Sequence, residues 1–457
     1  MTDFVCKSPA DGTQVFAGVH ANRSEIVSTL THAIQAQKIW ANRPLRDRVE
    51  MLGMALNHLQ QQKQEIGEEI TRQMGRPIRF SPKEVDGLVE RGQTMLDLAS
   101  QALADISLPE KQGFERFIRK TPVGVVAVLA PWNYPFLTSV NVIIPALAAG
   151  NSVILKHASQ TPLAATRWQE AFNAAGVPDG VFRHLFLSHD GTAELLGSGK
   201  VNYTAFTGSV AGGHAIVQAL SGGFASAGLE LGGKDPAYVR QDADLELAVT
   251  ELVDGAFFNS GQSCCGVERI YVHEDIYDAF LKAFLTETGK LKLGDPMNPE
   301  TTLGPMVSTK AANMVRDQIA NALASGATAH FPLNDQRDSP YLPPQVLTDV
   351  THKMDVMREE SFGPVIGIMP VTDDEEAIAL MNDSAYGLTA SIWSKDAESA
   401  QLIGDQLETG TVFLNRCDYL DPSLAWTGVK DSGRGCTLSV MGYDSLTRPK
   451  SFHLKIG

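Results

Sequence analysis

The sequence lacks several features that mark whole classes of protein. Only five of its 457 residues are cysteine, and their irregular spacing does not suggest a disulfide framework. The longest apolar stretch, Val123–Ala130, is too short to cross a bilayer. The first residues carry neither a basic segment nor an apolar segment of the kind that secretory signals need. These absences predict a cytoplasmic protein that is not embedded in a membrane.

Basic residues are also scarce relative to acidic ones. Lys and Arg total 38 against 53 Asp and Glu, which gives a formal net charge of −15. Because nucleic acids and anionic membranes need basic surfaces, neither is expected as a partner. The eleven histidines show no paired ligand spacing, and adjacent cysteines at 264 and 265 are too close for a usual zinc pair. We therefore expect no metal site.

What the chain does have is length and apolar content. Hydrophobic residues make up 43% of it, which is enough for large cores and more than one domain. The first hundred residues are mostly helical in pattern, and from residue 122 short β-branched runs alternate with helical segments such as 161–175. This alternation predicts parallel βαβ units, and therefore an α/β fold with two lobes. Strands are predicted at 123–130, 152–155, 203–206, 269–272, 365–369 and 411–414.

Three of these strands end in residues that suit a ligand site. The strand at 123–130 is followed by a Pro-Trp-Asn step ending at Asn133, and the strand at 152–155 is followed by Lys156. The third is followed by Gly208 and Ser209, just before a helix pattern. Ligands bind at the carboxyl ends of parallel strands, and free backbone N–H groups at a helix start can hold a phosphate.

A thiol and a carboxylate suggest the chemistry. Cys264 follows a flexible Gly-Gln-Ser step, which lets its thiol stand clear of the backbone at a turn or a helix start. Composition alone favours two packed thiols at Cys264 and Cys265. A catalytic thiol becomes the better interpretation with Glu230, an acid flanked by leucines whose pKa should be raised into the range of a general base. The Asn133 amide and the Cys264 N–H are candidate donors to an oxyanion.

Together these segments resemble the NAD(P)-dependent aldehyde dehydrogenase superfamily. The motifs occur in the family's order and cover essentially the whole chain. They are Pro131-Trp-Asn-Tyr-Pro135, Lys156, Phe206-Thr-Gly-Ser209, Leu229-Glu-Leu-Gly-Gly-Lys234, Gly261-Gln-Ser-Cys264, Glu359-Glu-Ser-Phe-Gly-Pro364 and Leu414-Asn415.

The resemblance implies an architecture as well. It implies a Rossmann-type cofactor domain at 1–103 and 122–231, and an α/β catalytic domain at 232–440. A small β oligomerisation element is implied at 104–121 and 441–457. Members of this family assemble, so a homodimer or a homotetramer is expected.

The resemblance also implies a reaction, the oxidation of a small aldehyde to a carboxylic acid with NAD or NADP. Cys264 is implied as the nucleophile, forming a thiohemiacetal and then a thioester, and Asn133 as the oxyanion donor. Glu230 is implied as the base that activates water. The implied cofactor contacts are Trp132, Lys156, Ser159, Gly208, Ser209, Glu360 and Phe362.

Departures from the family pattern concern specificity. Ser159 stands where NAD-specific relatives often carry a glutamate that repels a 2′-phosphate, so NADP should be accepted and even preferred. Asn141, eight residues after Asn133, stands where succinic-semialdehyde relatives tend to carry an arginine. Thr138 lies one helical turn earlier and should face the same tunnel. Arg416 is a candidate for binding an acidic substrate tail, with a surface salt bridge as its alternative.

Two other functions stay open at this point. A CoA-acylating relative would pass the thioester to CoA, although such relatives generally lack the glutamate base. A non-catalytic protein on the same scaffold would be expected to lose Cys264, Glu230 or Asn133. The identity of the aldehyde, possible semialdehydes included, is not fixed by the sequence.

Overall fold

Two large sheets and one small antiparallel sheet organise the computed structural model, which describes residues 3–333 and 336–456. The described strands are β1 (Phe4–Lys7), β2 (Gln14–Gly18), β3 (Ile106–Ser107), β4 (Phe114–Pro122), β5 (Val125–Ala130), β6 (Ser152–His157), β7 (Phe182–His184), β8 (Tyr203–Thr207), β9 (Ser226–Glu230), β10 (Asp235–Val239), β11 (Val267–His273), β12 (Thr328–Ala329), β13 (Gln345–Thr348), β14 (Val365–Val371), β15 (Tyr386–Gly387), β16 (Thr389–Trp393), β17 (Thr411–Leu414), β18 (Val429–Lys430), β19 (Gly433–Arg434) and β20 (Thr447–Lys455).

Helices separate most of these strands. The described α-helices are α1 (Arg23–Ala41), α2 (Leu45–Gln61), α3 (Lys63–Met74), α4 (Lys83–Ala102), α5 (Pro135–Ala148), α6 (Pro162–Ala174), α7 (His189–Gly197), α8 (Val210–Leu220), α9 (Leu245–Phe257), α10 (Tyr277–Thr288), α11 (Thr309–Ala324), α12 (Asp355–Arg358), α13 (Asp374–Asn382) and α14 (Ala397–Gly404). The described part of the chain contains no helix that is long and apolar enough to cross a membrane.

Helices α1 to α4 confirm the helical pattern of the first hundred residues. Helix α1 begins at a reciprocal cap, in which Glu25 N donates to Asn22 Oδ1 at 3.1 Å and Asn22 N donates to Glu25 Oε2 at 2.7 Å. The hairpin of β1 and β2 was not predicted. Its Phe4 and Phe16 both pack against Phe186 at 5.4 Å between ring centroids, a contact that short-range patterns do not reveal.

The six-stranded sheet has the order β19-β9-β8-β5-β6-β7, and β5 to β9 are parallel. Every residue of β5 is buried, as expected for a parallel strand covered by helices on both faces. The predicted strands at 123–130, 152–155 and 203–206 are confirmed as β5, β6 and β8. The strand order reverses between β5 and β8, which is where open α/β sheets bind ligands.

The seven-stranded sheet has the order β12-β13-β14-β11-β10-β16-β17. Only β12 runs antiparallel to its neighbour, and the predicted strands at 269–272, 365–369 and 411–414 are confirmed as β11, β14 and β17. At one edge, β17 leaves Val412 and Leu414 exposed. The two-lobed α/β prediction is therefore confirmed.

The small sheet, β20-β4-β3, joins segments that are distant in sequence. Its strands fall within or beside the segments expected to form the oligomerisation element, 104–121 and 441–457. Strand β19 belongs to the expected catalytic segment 232–440 but lies in the six-stranded sheet, where it pairs with β9. The domain boundaries themselves stay a prediction.

Candidate active site

The thiol of Cys264 projects from a sharp turn between a 3-10 helix at Phe258–Gly261 and strand β11. The turn interpretation is confirmed, and the alternative of a helix start is wrong. Asn259, Ser260 and Gly261 have φ values of 53°, 57° and 70°. Left-handed backbone costs a residue with a side chain about 1–2 kcal/mol, so surrounding contacts must hold this turn in place.

Those contacts come from side chains of the turn itself. Ser260 Oγ donates to the Gly304 carbonyl at 2.8 Å, and Gln262 Nε2 donates to the Asn259 carbonyl at 3.0 Å. Val307 N donates to Gln262 Oε1 at 2.8 Å. Gly261 approaches the Gly363 carbonyl so closely that a Cβ would clash with it. This turn, residues 258–266, is called the nucleophile turn below because it carries the predicted nucleophile Cys264. It is packed directly against the segment that carries Glu360 and Phe362.

Asn133 reaches this turn from the end of β5. Its side-chain Nδ2 donates to the Gln262 carbonyl at 3.2 Å, and the residue is 4% exposed. The Cys264 N–H has no acceptor within the described ranges. Asn133 and Cys264 line the same cavity, so both N–H donors are candidates for stabilising an oxyanion formed on the thiol.

A buried ion pair fixes the backbone of Asn133. The Arg76 guanidinium donates to the Asn133 carbonyl and pairs with Glu84. Glu84 Oε1 accepts the Phe136 N–H at 2.8 Å, at the start of α5. Sequence reasoning missed both charged residues, because nothing in their spacing distinguishes a buried pair from a solvated one.

Glu230 ends strand β9 with its carboxylate between two hydroxyl groups. Thr437 Oγ1 donates to Oε1 at 2.6 Å, and Thr207 Oγ1 donates to Oε2 at 3.1 Å. Burial raises the pKa of Glu230 above its usual value, while both hydroxyls and the nearby Arg91 oppose that rise. The predicted direction of the pKa shift is confirmed.

Two cavities meet at this point. The first cavity, of about 320 Å³, lies between α4, α5, the nucleophile turn and the segment 418–426. The second cavity, of about 230 Å³, lies at the carboxyl ends of β5 and β8. Cys264, Glu230 and Thr207 line both cavities. A molecule in either one can reach the thiol.

The second cavity fits a dinucleotide. It lies at the switch point of the sheet and is lined by Trp132, Gly208, Ser209, Glu360 and Phe362. Ser209 Oγ caps α8 by accepting the Gly212 N–H at 3.1 Å, which leaves the first N–H groups of this helix for a phosphate. Trp132 and Phe362 meet edge to face at 5.7 Å. A flat ring could pack against these aromatic side chains, and a pyrophosphate could accept hydrogen bonds from the first N–H groups of α8.

The Glu360 loop is held by a second buried ion pair, which sequence reasoning also missed. Lys234 Nζ lies 2.6 Å from Glu268 Oε2, and Glu268 accepts the N–H groups of Ser361 at 2.7 Å and Phe362 at 2.9 Å. Glu360 Oε1 accepts the Gly233 N–H at 3.2 Å. Burial, with the charge of Glu268 nearby, raises the pKa of Glu360 to about 8.

Two predicted cofactor residues lie outside the lining of the second cavity. Lys156 is at the end of β6, partly buried, and burial lowers its pKa. Ser159 is exposed three residues later. Lys156 lies at the carboxyl end of β6, next to β5, and Ser159 lies just beyond it, so both belong to the same edge of the sheet as the second cavity.

Of the three predicted substrate residues, two line the first cavity and one does not. Thr138 and Asn141, on α5, both line the first cavity. Arg416 is exposed, does not line it, and its guanidinium lies 3.4 Å from the centre of the Tyr419 ring. Sequence reasoning missed Arg91, which lines the first cavity from α4, because the helical pattern of that segment carries no sign of a ligand site.

Cys265 has a separate role from Cys264. Its Sγ donates to Asp418 Oδ1 at 3.0 Å, and the residue is 4% exposed. Its hydrogen bond with the neighbouring Cys264 thiol, together with burial, raises the pKa of Cys265 well above its usual value. A thiol that stays protonated is a poor nucleophile, so Cys264 is the better candidate.

Comparison with known proteins gives one family. The family model described as "Aldehyde dehydrogenase family" matches residues 2–452. The chain is 34% identical over 449 residues to the NAD(P)+ succinate semialdehyde dehydrogenase Sad of Escherichia coli, covering 96% of each protein. It is 33% identical over 451 residues to betaine aldehyde dehydrogenase 2 of Rhizobium meliloti, covering 97% of this chain and 92% of that one.

Solved structures agree with this result. The NADP-dependent glyceraldehyde-3-phosphate dehydrogenase of Bacillus halodurans, complexed with NADP, superposes with a TM-score of 0.94 at 32% identity. The match covers 99% of this chain and 96% of that chain.

Proposed function

The chain belongs to the aldehyde dehydrogenase family, and on that premise we propose that Cys264, Glu230 and Asn133 oxidise an aldehyde in the first cavity to its carboxylic acid. The protein is an NAD(P)-dependent aldehyde dehydrogenase. The observation that carries the assignment of residues is that Cys264 and Glu230 line both cavities. Only a side chain at this junction can contact a substrate and a cofactor together.

In the proposed reaction the Cys264 thiolate adds to the aldehyde carbon and forms a thiohemiacetal. The Asn133 amide and the Cys264 N–H donate to its oxyanion. When bound, NAD or NADP supplies the acceptor for the hydride that leaves this carbon, and a thioester on Cys264 results. Glu230 then removes a proton from water, whose oxygen attacks the thioester carbonyl. The carbon–sulfur bond breaks, the acid leaves, and the thiolate is restored.

We propose a semialdehyde as the substrate. Several similar proteins are succinate-semialdehyde dehydrogenases, and the first cavity is lined by one arginine and by polar residues of α5. A cationic aldehyde is the second candidate, because Asp418 and the aromatic residues Tyr134 and Trp426 line the same cavity.

We propose that the second cavity binds NADP as well as NAD. Ser159 carries no charge that would repel a 2′-phosphate, and Lys156 offers a point charge at the same edge of the sheet. Similar proteins include NADP(+) succinate-semialdehyde dehydrogenases. A preference for NAD over NADP of about 1000-fold in kcat/KM would contradict this assignment.

We also propose a homodimer or homotetramer in the cytoplasm. Strand β17 is an open edge with Val412 and Leu414 exposed, and β20 is the open edge of the small sheet with Leu454 exposed. Unpaired strand edges of this kind are ready to pair with another chain. All five cysteines are free thiols, as a reducing compartment favours. Light scattering of the purified protein gives the oligomeric state directly.

One experiment tests the proposed function. A panel of carboxylated, neutral aliphatic, aromatic and amino aldehydes is incubated with NAD and with NADP, and reduced cofactor and acid product are measured. Cys264→Ala should abolish both products, whereas Cys265→Ala should keep them measurable. Unchanged activity in Cys264→Ala would contradict the mechanism. Acyl-CoA formation with added CoA would favour the CoA-acylating alternative.

A further inference from the structure

Arg91 places a positive charge in the first cavity, and the proposed mechanism gives this side chain no role. It lies on α4 and lines the cavity together with Leu137, Thr138 and Asn141 of α5. Its Nη1 donates to the Leu137 carbonyl at 3.0 Å and contacts Asn141 Oδ1 at 3.5 Å. A guanidinium has five N–H groups, so most of its donors remain for a ligand.

No carboxylate forms an ion pair with Arg91 within residues 3–333 and 336–456. Glu84 is already paired with Arg76, and Glu230 accepts from two threonine hydroxyls. Burial is sufficient to lower the pKa of Arg91. The carboxyl groups of Glu84 and Glu230 act on the charge of Arg91 without pairing with it directly, so an anionic ligand would supply a direct partner for a largely buried charge.

The acidic residues of the first cavity differ from Arg91 in how burial affects them. Asp418 accepts hydrogen bonds from Ser263 at 2.8 Å and Cys265 at 3.0 Å, and burial raises its pKa. A carboxyl group can relieve burial by taking up a proton, whereas an arginine in a protein does not lose one. Glu90 also lines the cavity but is exposed, so solvent and salt screen it. Asp254 lines the cavity too, and burial raises its pKa to about 6, so it also takes up a proton more readily than an ordinary aspartate.

We propose that Arg91 binds the carboxylate of a semialdehyde substrate and thereby determines which aldehydes the enzyme prefers. The proposal rests on the proposed function, because it needs the aldehyde to be oxidised at Cys264. The carboxylate receives the free N–H groups of the guanidinium as a two-point contact. The Leu137 carbonyl and the Asn141 side-chain oxygen both contact Nη1, which leaves Nη2 and Nε for the carboxylate. Arg91 is therefore a specificity-determining residue supplied by α4.

The first cavity connects Arg91 with the reacting groups. Arg91, Cys264 and Glu230 all line it, and the charge of Arg91 acts on Cys264 and on Glu230. One molecule with an aldehyde at one end and a carboxylate at the other can therefore contact both. A four-carbon semialdehyde is the first probe, because several similar proteins are succinate-semialdehyde dehydrogenases.

The test compares three four-carbon aldehydes that differ in charge at the far end: 4-oxobutanoate, its neutral methyl ester, and 4-aminobutanal. The measured quantity is the ratio of kcat/KM for 4-oxobutanoate to that for the ester, determined within each variant so that a loss common to both substrates cancels. The wild-type ratio should be about 100, as expected for charge-assisted hydrogen bonds. In Arg91→Met the ratio should fall to about 1.

Two further variants make the test specific. Arg91→Lys should keep part of the preference, because lysine supplies the charge without the two-point geometry. Arg23→Met removes the same charge from an exposed position on α1 that does not line the first cavity and should leave the ratio unchanged.

An unchanged ratio in Arg91→Met and Arg91→Lys, or a wild-type preference for 4-aminobutanal, would overturn the proposal. If the wild-type protein oxidised none of the three aldehydes, the proposed function itself would fail.

Discussion

The two cavities that meet at Cys264 are built in different ways. Most residues that line the second cavity end or follow three adjacent parallel strands, β5, β8 and β9, and a loop held by hydrogen bonds to Glu268 completes it. The first cavity is lined by side chains that come from α4, α5, the nucleophile turn and the segment 418–426. The position of the second cavity therefore follows mainly from strand order, whereas the first cavity depends on how helices and loops pack.

The largest expected effect is on the scaffold of the second cavity. Glu268→Ala should lower the free energy of unfolding by about 3–5 kcal/mol, because it leaves Lys234 buried without its partner. It should also weaken cofactor binding, since the Ser361 and Phe362 N–H groups lose their acceptor. Urea denaturation and cofactor titration measure these two effects.

A matched surface variant controls for this result. Glu300→Ala removes an exposed carboxylate that lies 3.4 Å from Lys292 Nζ, and its effect should stay within about 0.5 kcal/mol. Equal losses in the two variants would mean that the buried pair does not support the second cavity.

Next in size is the effect of removing the Asn133 amide, which lines the second cavity together with Cys264. Asn133→Ala should lower kcat by about 100-fold to 1000-fold, the usual loss for one oxyanion donor, while cofactor affinity stays near that of the wild type. Steady-state kinetics measures the loss in kcat, and cofactor titration measures the cofactor affinity. Thr138→Ala is the control on α5, because its hydroxyl donates to the Tyr134 carbonyl at 2.8 Å. A loss in Thr138→Ala as large as that in Asn133→Ala would remove the special role of the amide.

A smaller effect concerns pH and belongs to the second cavity alone. Burial and Glu268 raise the pKa of Glu360 to about 8 in the free protein. The family resemblance implies that Glu360 contacts the cofactor, and we expect this contact to be with a ribose hydroxyl. Because the hydroxyl donates to the ionised carboxylate, binding removes the proton from Glu360, and cofactor affinity should fall as the pH decreases below this pKa. The fall should be at most about tenfold per pH unit.

Fluorescence titration with reduced cofactor at a series of pH values measures this dependence. Glu360→Gln should bind more weakly and show no such dependence. A wild-type affinity that does not change between about pH 6 and pH 9 would argue against a contact between Glu360 and the ribose.

The smallest effect concerns the base. Thr437→Val removes the hydroxyl that lies 2.6 Å from Glu230 Oε1, a hydrogen bond that lowers the pKa of this carboxyl. The pKa of Glu230 should rise further, so hydrolysis of the thioester should reach its plateau at a higher pH.

At neutral pH the rate of hydrolysis should fall by about fivefold, since one hydrogen bond contributes about 1 kcal/mol. A pH–rate profile of turnover measures the shift, and Thr437→Ser should restore the wild-type profile. A profile that moves to lower pH would contradict this reading of the contact.

The contrast between the cavities also explains what the sequence predicts. The strands at 123–130 and 203–206 were predictable because buried parallel strands are continuous apolar runs, and Ser209 follows such a run directly. The roles of three other residues could not be predicted, because they depend on contacts with residues far away in the chain. These residues are Arg91, Glu268 and Thr437. The role of Arg416 stays a prediction, since its side chain is exposed and lies outside the lining of the first cavity but stacks on Tyr419, which is part of that lining.

Cys264 and Glu230 should act in sequence at the junction of the cavities, and rapid mixing of Glu230→Gln with aldehyde and NADP shows whether they do. We expect a burst of about one reduced cofactor per active site, followed by a slow steady state, because thioester formation does not need the base and hydrolysis does. A Glu230→Gln protein that shows no burst, or that turns over at the wild-type steady-state rate, would rule out this order of steps.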